Sequence, residues 1–128
     1  MKRDENLTPN FKLSEFVREQ DSLPPKEILT NLKALAGRLE GVRKLFGKPI
    51  KITSGYRTAA HQLELYEQGL TDVKTGGYHT KGMAADIVVV GVPPYEVQQT
   101  LKGWLGGMGS YDTFTHLDIR PYTARWHR

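Results

Sequence analysis

Met83-Ala84-Ala85-Asp86-Ile87-Val88-Val89-Val90 is an apolar run, rich in valine, broken by one carboxylate. Its length and β-branched content predict a buried strand over 83–90. Alternation puts Ala84, Asp86 and Val88 on one face and Ala85, Ile87 and Val89 on the other. A lone carboxylate among valines is expensive to bury unless it is paired or bound to a cation. One face of this strand therefore belongs to a core, and the other to chemistry.

The neighbouring segments supply partners for it. Lys48-Pro49-Ile50-Lys51-Ile52-Thr53-Ser54 alternates and predicts a strand. Gly55-Tyr56-Arg57-Thr58 is a turn, with Thr58 placed to cap a helix over 59–68 that Gly69 closes. Residues 72–82 form a polar loop with glycines. Pro93-Pro94 opens a helix over 95–105, broken by Gly106-Gly107, and a hairpin follows: 108–111, a turn at Asp112-Thr113, then 114–120. Upstream, Ile28, Leu29, Leu32, Leu35, Leu39 and Val42 recur at three and four, the stripe of a helix over 25–46 that ends at Gly47. Ser14 is expected to cap a short helix over 15–20, anchored by Phe11, Leu13, Phe16 and Val17. The order predicts a small α+β domain: an antiparallel sheet flanked by helices, one unit over 1–128, with 1–9 and 124–128 as flexible ends.

Composition narrows the chemistry. Apolar residues at 38% and charged residues at 25% fit neither a disordered nor a membrane chain, and no apolar run approaches bilayer-spanning length. The charged start, Met1-Lys2-Arg3-Asp4-Glu5-Asn6, does not read as a signal peptide, so synthesis in the cytoplasm without an export address is expected. With no cysteine, disulfides, thiolate catalysis and thiolate metal sites are excluded. A zinc ion here must be held by histidine and carboxylate, the ligand set of catalytic sites more than structural ones. The net charge of +4 is spread along the chain. It reads as an ordinary surface and not as a nucleic-acid footprint, and a monomer is expected.

His79 ends the glycine-bearing loop seven residues before Asp86. In Thr115-His116-Leu117-Asp118-Ile119-Arg120, strand alternation gives His116, Asp118 and Arg120 one face and Leu117 and Ile119 the other. His79, Asp86 and His116 together make a three-ligand set with a fourth position for water. His61, inside a predicted helix, and His127, near a basic end, read as solvated surface. Trp104, Tyr122 and Trp126 read as packing residues.

The segments Ser54-Gly55-Tyr56-Arg57, His79-x-x-Gly82-x-Ala84-x-Asp86 and His116-x-Asp118 resemble the D-alanyl-D-alanine carboxypeptidase and endopeptidase family of zinc peptidases, peptidase family M15. The likeness spans about residues 10–126, and the ending, with Ala124-Arg125-Trp126, is similar to the phage and bacterial murein-peptidase branch. The resemblance implies the fold shared with the hedgehog signalling domain. It also implies a Zn²⁺ held by His79, Asp86 and His116, and hydrolysis of a peptide bond next to a D-amino acid in peptidoglycan stems or cross-links. Arg57 matches an arginine beside the scissile carbonyl, Gln62 a polar residue facing the cleft, and Ser54 and Tyr56 shape the substrate groove.

Two departures from the family pattern stand out. Gly77 stands where many relatives have serine, and Thr113 and Phe114 stand where relatives carry an acidic residue or a second histidine as base. The remaining carboxylates are Asp118, on the face of His116, and Asp112 in the turn. Asp118 is preferred as the proton acceptor; in the other reading it only orients a ligand. The alternative to a peptidase is a metal-containing cell-wall-binding module without turnover.

Overall fold

The computed structural model describes residues 1–127. Among these the strands are β1 (Asn6–Thr8), β2 (Phe11–Lys12), β3 (Ile50–Ser54), β4 (Ala84–Val89), β5 (Gly107–Ser110), β6 (Thr115–Asp118) and β7 (Ala124–His127). The helices are α1 (Lys26–Phe46), α2 (Ala59–Glu67) and α3 (Pro94–Thr100). The main sheet has the order β3-β4-β6-β5-β7, and β1 and β2 form a separate hairpin.

α1 forms where the sequence places it, because its apolar residues fall on one stripe. Leu32, Leu35, Ala36, Leu39 and Val42 are buried against Ala85, Ile87 and Val89 of β4, Leu117 of β6 and Met108 of β5. Each fully buried leucine of this layer contributes on the order of 1.5–3 kcal/mol. The opposite face of the sheet is thereby free to carry polar groups. The small hairpin adds Leu7 and Phe11 to the same core.

The structure revises the expected elements at four places. The sheet is mixed, not antiparallel throughout: β7 runs parallel to β5, with Gly109 opposite Trp126. The segments expected to be loose hold strands, Asn6–Thr8 at one end and Ala124–His127 at the other; residue 128 lies outside the described residues. In place of a helix over 15–20 there is a 3-10 turn, Leu13–Glu15, entered at Lys12, not capped by Ser14. Leu13, Phe16 and Val17 all bury, and Phe16 O accepts from Tyr56 N at 2.8 Å, where a continuing helix would use it for its own next turn. α3 stops at Thr100, since Leu101 leaves helical geometry (φ −93°, ψ 17°) and Trp104 folds back with its amide bonded to Leu101 O at 2.8 Å.

After β3 the chain turns through Gly55 under the backbone of Phe16. A Cβ on Gly55 would lie 2.6 Å from Phe16 O, and Tyr56 N donates to that same oxygen at 2.8 Å. Gly55→Ala is expected to lower stability by about 1–3 kcal/mol, because backbone must move to admit the methyl group. Urea unfolding measures it. An unchanged midpoint would show that the Phe16 segment yields freely.

Candidate metal centre

Sheet register brings the first two candidate ligands together. β4 and β6 are antiparallel neighbours in the middle of the sheet, and Asp86 lies directly opposite His116. Cross-strand side chains on one face meet at about 4.5–5.5 Å between Cβ atoms, so both reach a common point. His79 arrives from the turn before β4, which is closed by Met83 N donating to Tyr78 O at 3.0 Å. His79 O accepts from Arg57 N at 3.1 Å, tying the two loops at the site together.

Hydrogen bonds on the far side of each imidazole fix which nitrogen faces inward. His79 Nδ1 is 2.8 Å from Gly55 O, a carbonyl that can only accept, so Nδ1 carries the proton and Nε2 presents its lone pair. His116 Nε2 is 2.7 Å from Asp118 Oδ2, which assigns the proton to Nε2 and turns Nδ1 inward. His79 Nε2 and His116 Nδ1 then lie 3.3 and 3.1 Å from Asp86 Oδ1. The candidate ligand atoms of the three residues all lie within 4.8 Å of one another. Three acceptors converging in a buried site repel unless a cation or a proton sits among them. Two neutral imidazoles and one carboxylate suit a divalent metal with an open position.

The charges respond accordingly. Burial works against the Asp86 carboxylate, but His79 and His116 outweigh it and hold its pKa well below the usual carboxylate range. Burial depresses His79 and keeps it neutral. At His116 burial acts in the same sense, yet the bonds to Asp118 and Asp86 prevail and its pKa stands above the ordinary value. Without metal, the Asp86 oxygen facing His116 Nδ1 at 3.1 Å favours a proton at that nitrogen.

Asp118 stands behind His116. It is fully buried (0% exposed), on the side of His116 away from the inward Nδ1. Its Oδ2 takes His116 Nε2 and Arg120 Nη2, and its Oδ1 takes Gly107 N and Arg120 Nε, at 2.6 to 2.9 Å. A Cβ on Gly107 would stand 2.3 Å from Oδ2, so the glycine is what lets the carboxylate sit there. Both oxygens are engaged there, on the far side of His116, a geometry that suits orienting a ligand more than accepting the proton of an attacking water.

The remaining predicted residues divide between the cavity and its support. Arg57 lines a cavity of about 590 Å³ together with His79, Asp86 and His116. Its guanidinium donates to Asp86 Oδ2 at 3.3 Å and to Ser54 Oγ at 3.1 Å. Gln62 lines that cavity too, but it is only 2% exposed. Its Oε1 accepts from Arg57 Nη1 at 3.3 Å and its Nε2 donates to Val73 O at 2.7 Å. The amide expected to bind substrate is thus spent on holding Arg57 and the loop after α2. Ser54 likewise bonds Arg57, and Tyr56 packs against the core; the residues lining this cavity do not include them.

His61 lies on α2 and does not line the cavity, whereas His127, read as surface, does. Tyr78, Tyr111, Phe114 and Trp126 line it also, though the sequence reading assigned none of them to its wall and took Trp126 for packing. The available signal was alternation: Gly107 and Gly109 face the site, and the next residue in step is Tyr111.

A family model described as Peptidase M15 matches residues 9–118, covering both histidines, both aspartates and Arg57. The chain belongs to the peptidase M15 family. No curated protein matches it. Membership makes the chain a peptidase, and the convergent His79, Asp86 and His116 make metal dependence the corresponding reading of the site. No helix among the described residues is long and apolar enough to cross a membrane.

Proposed function

We propose that the protein is a zinc-dependent peptidase that hydrolyses a peptide bond next to a D-amino acid in the stem or cross-link peptides of peptidoglycan. The observation that carries this reading is the convergence of three lone-pair atoms, from His79, Asp86 and His116, in a cavity whose wall includes Arg57. The substrate class follows from the likeness of the motifs around Arg57, His79 and His116 to murein peptidases.

Zinc, when bound, would polarise the scissile carbonyl and acidify a water molecule beside it. The chain's own residues account for the rest. Asp118 and the Gly55 carbonyl hold the two imidazoles in the tautomers that ligation needs. Arg57, fixed by Ser54, Gln62 and Asp86, presents a cation to the oxygen on which charge develops. Burial weakens the hold of Arg57 on its proton, though the Asp86 carboxylate counteracts this, and the group stays charged at any working pH.

The decisive measurement is mass spectrometry of peptides released from purified sacculi by the zinc-loaded protein. New amino and carboxyl ends beside a D-residue are expected, lost with a chelator and restored by zinc. Zinc bound with no peptide released would favour the binding module without turnover.

A further inference from the structure

We propose that Tyr111 is a catalytic residue, its hydroxyl donating a hydrogen bond to the scissile carbonyl oxygen as that oxygen becomes negative. The proposal rests on the peptidase reading above and adds a second donor to Arg57.

Tyr111 is held on three sides. Its ring stacks on Phe114, with centroids 4.3 Å apart and planes 12° from parallel. Its carbonyl accepts from Gln98 Nε2 of α3 at 3.1 Å, and the same amide holds Phe114 O and Thr115 Oγ1. Its hydroxyl accepts from Trp126 Nε1 at 3.1 Å.

The last contact sets the direction of the proton. An indole N–H can only donate, so the Tyr111 oxygen is the acceptor and its own hydrogen must point elsewhere. Trp126 is itself anchored beside the metal ligands. Its ring centroid is 5.0 Å from that of His116, and it fills the space where a Cβ on Gly109 would come within 2.5 Å of its Nε1. Tyr111, Trp126 and Arg57 line the same cavity as the three ligands. A fixed O–H and a fixed guanidinium bordering one cleft are the parts of an oxyanion site. The rival is a purely structural tyrosine that exists to satisfy the Trp126 N–H.

Tyr111→Phe in the zinc-loaded full chain separates the two, because phenylalanine keeps the stack on Phe114. For a peptide that the wild type cleaves, kcat is expected to fall roughly 10- to 100-fold with KM nearly unchanged. A phosphinate pseudopeptide, which mimics the charged tetrahedral state, should bind more weakly by a similar factor in calorimetry. Zinc affinity should match the wild type, and Tm should fall only by the small cost of the lost Trp126 contact. Wild-type kcat in the variant overturns the proposal, and so does a loss that saturating zinc reverses in an assay well below Tm. A wild type that cleaves no peptide overturns the peptidase reading, and this proposal with it.

Discussion

His116→Ala is expected to abolish metal-dependent peptide release while leaving the fold intact. His116 supplies one of three ligand atoms, and it links the metal position to the buried Asp118–Arg120 pair. Losing a partner outside the ligand set typically costs about 10- to 100-fold in metal affinity, so losing a ligand should exceed that range. The fold should survive because the core side of β6 is carried by Leu117, while His116 faces the site. Asp118 also keeps Arg120 and the Gly107 amide as partners. The proton that replaces the metal adds a second signature. Since His116 holds a proton more tightly than a free histidine, zinc and proton compete at Nδ1. Apparent zinc affinity of the wild type should therefore weaken as pH falls through that titration, and the alanine variant should lose this dependence. Zinc titration at several pH values, with circular dichroism as the control for folding, measures both. Full activity in the variant would sink the metal site.

Much of this site was legible because antiparallel strands obey a period of two. The alternation in Met83–Val90 placed Asp86 opposite the core face, and that in Thr115–Arg120 placed His116 and Asp118 on one side. The structure has both arrangements, with Asp86 and His116 paired across β4 and β6. What alternation cannot give is the rotation of a ring. Whether His116 offers Nδ1 or Nε2 inward decides if Asp118 lies before the metal position or behind it. That choice depends on Gly107 and Arg120, which reach Asp118 from β5 and from beyond β6. β7 escaped for a different reason. Ala124-Arg125-Trp126-His127 alternates, with Ala124 and Trp126 on one face, but four residues are too few for the period to stand out, and it becomes a strand because the edge of β5 and two glycines there receive it. With β7 unseen, Trp126 could not be placed beside His116, nor Tyr111 beside Trp126.

Asp118→Asn tests the revised role of that carboxylate with nearly no change in shape. In one orientation the new amide group faces His116 Nε2–H and Arg120 Nη2, donors against donors. Flipped, it faces the Gly107 amide and Arg120 Nε, which are donors as well. The least costly escape is for His116 to move its proton to Nδ1 and accept from the asparagine, which blocks the nitrogen that must bind metal. Zinc affinity should fall about 10- to 100-fold. Stability should fall as well, because Arg120 loses its carboxylate. The full penalty for breaking a buried pair is about 3–5 kcal/mol, and the partial exposure of Arg120 above the Tyr78 ring should keep the loss towards its lower end. The two roles of Asp118 then part at high zinc. An orienting residue fails through metal loss, so saturating zinc should return most of the activity. A proton acceptor fails in the chemical step, so kcat would stay low with the metal fully bound. Wild-type zinc affinity combined with a kcat that excess zinc cannot restore would return Asp118 to the role of base, and would require the His116–Asp118 contact to open during turnover.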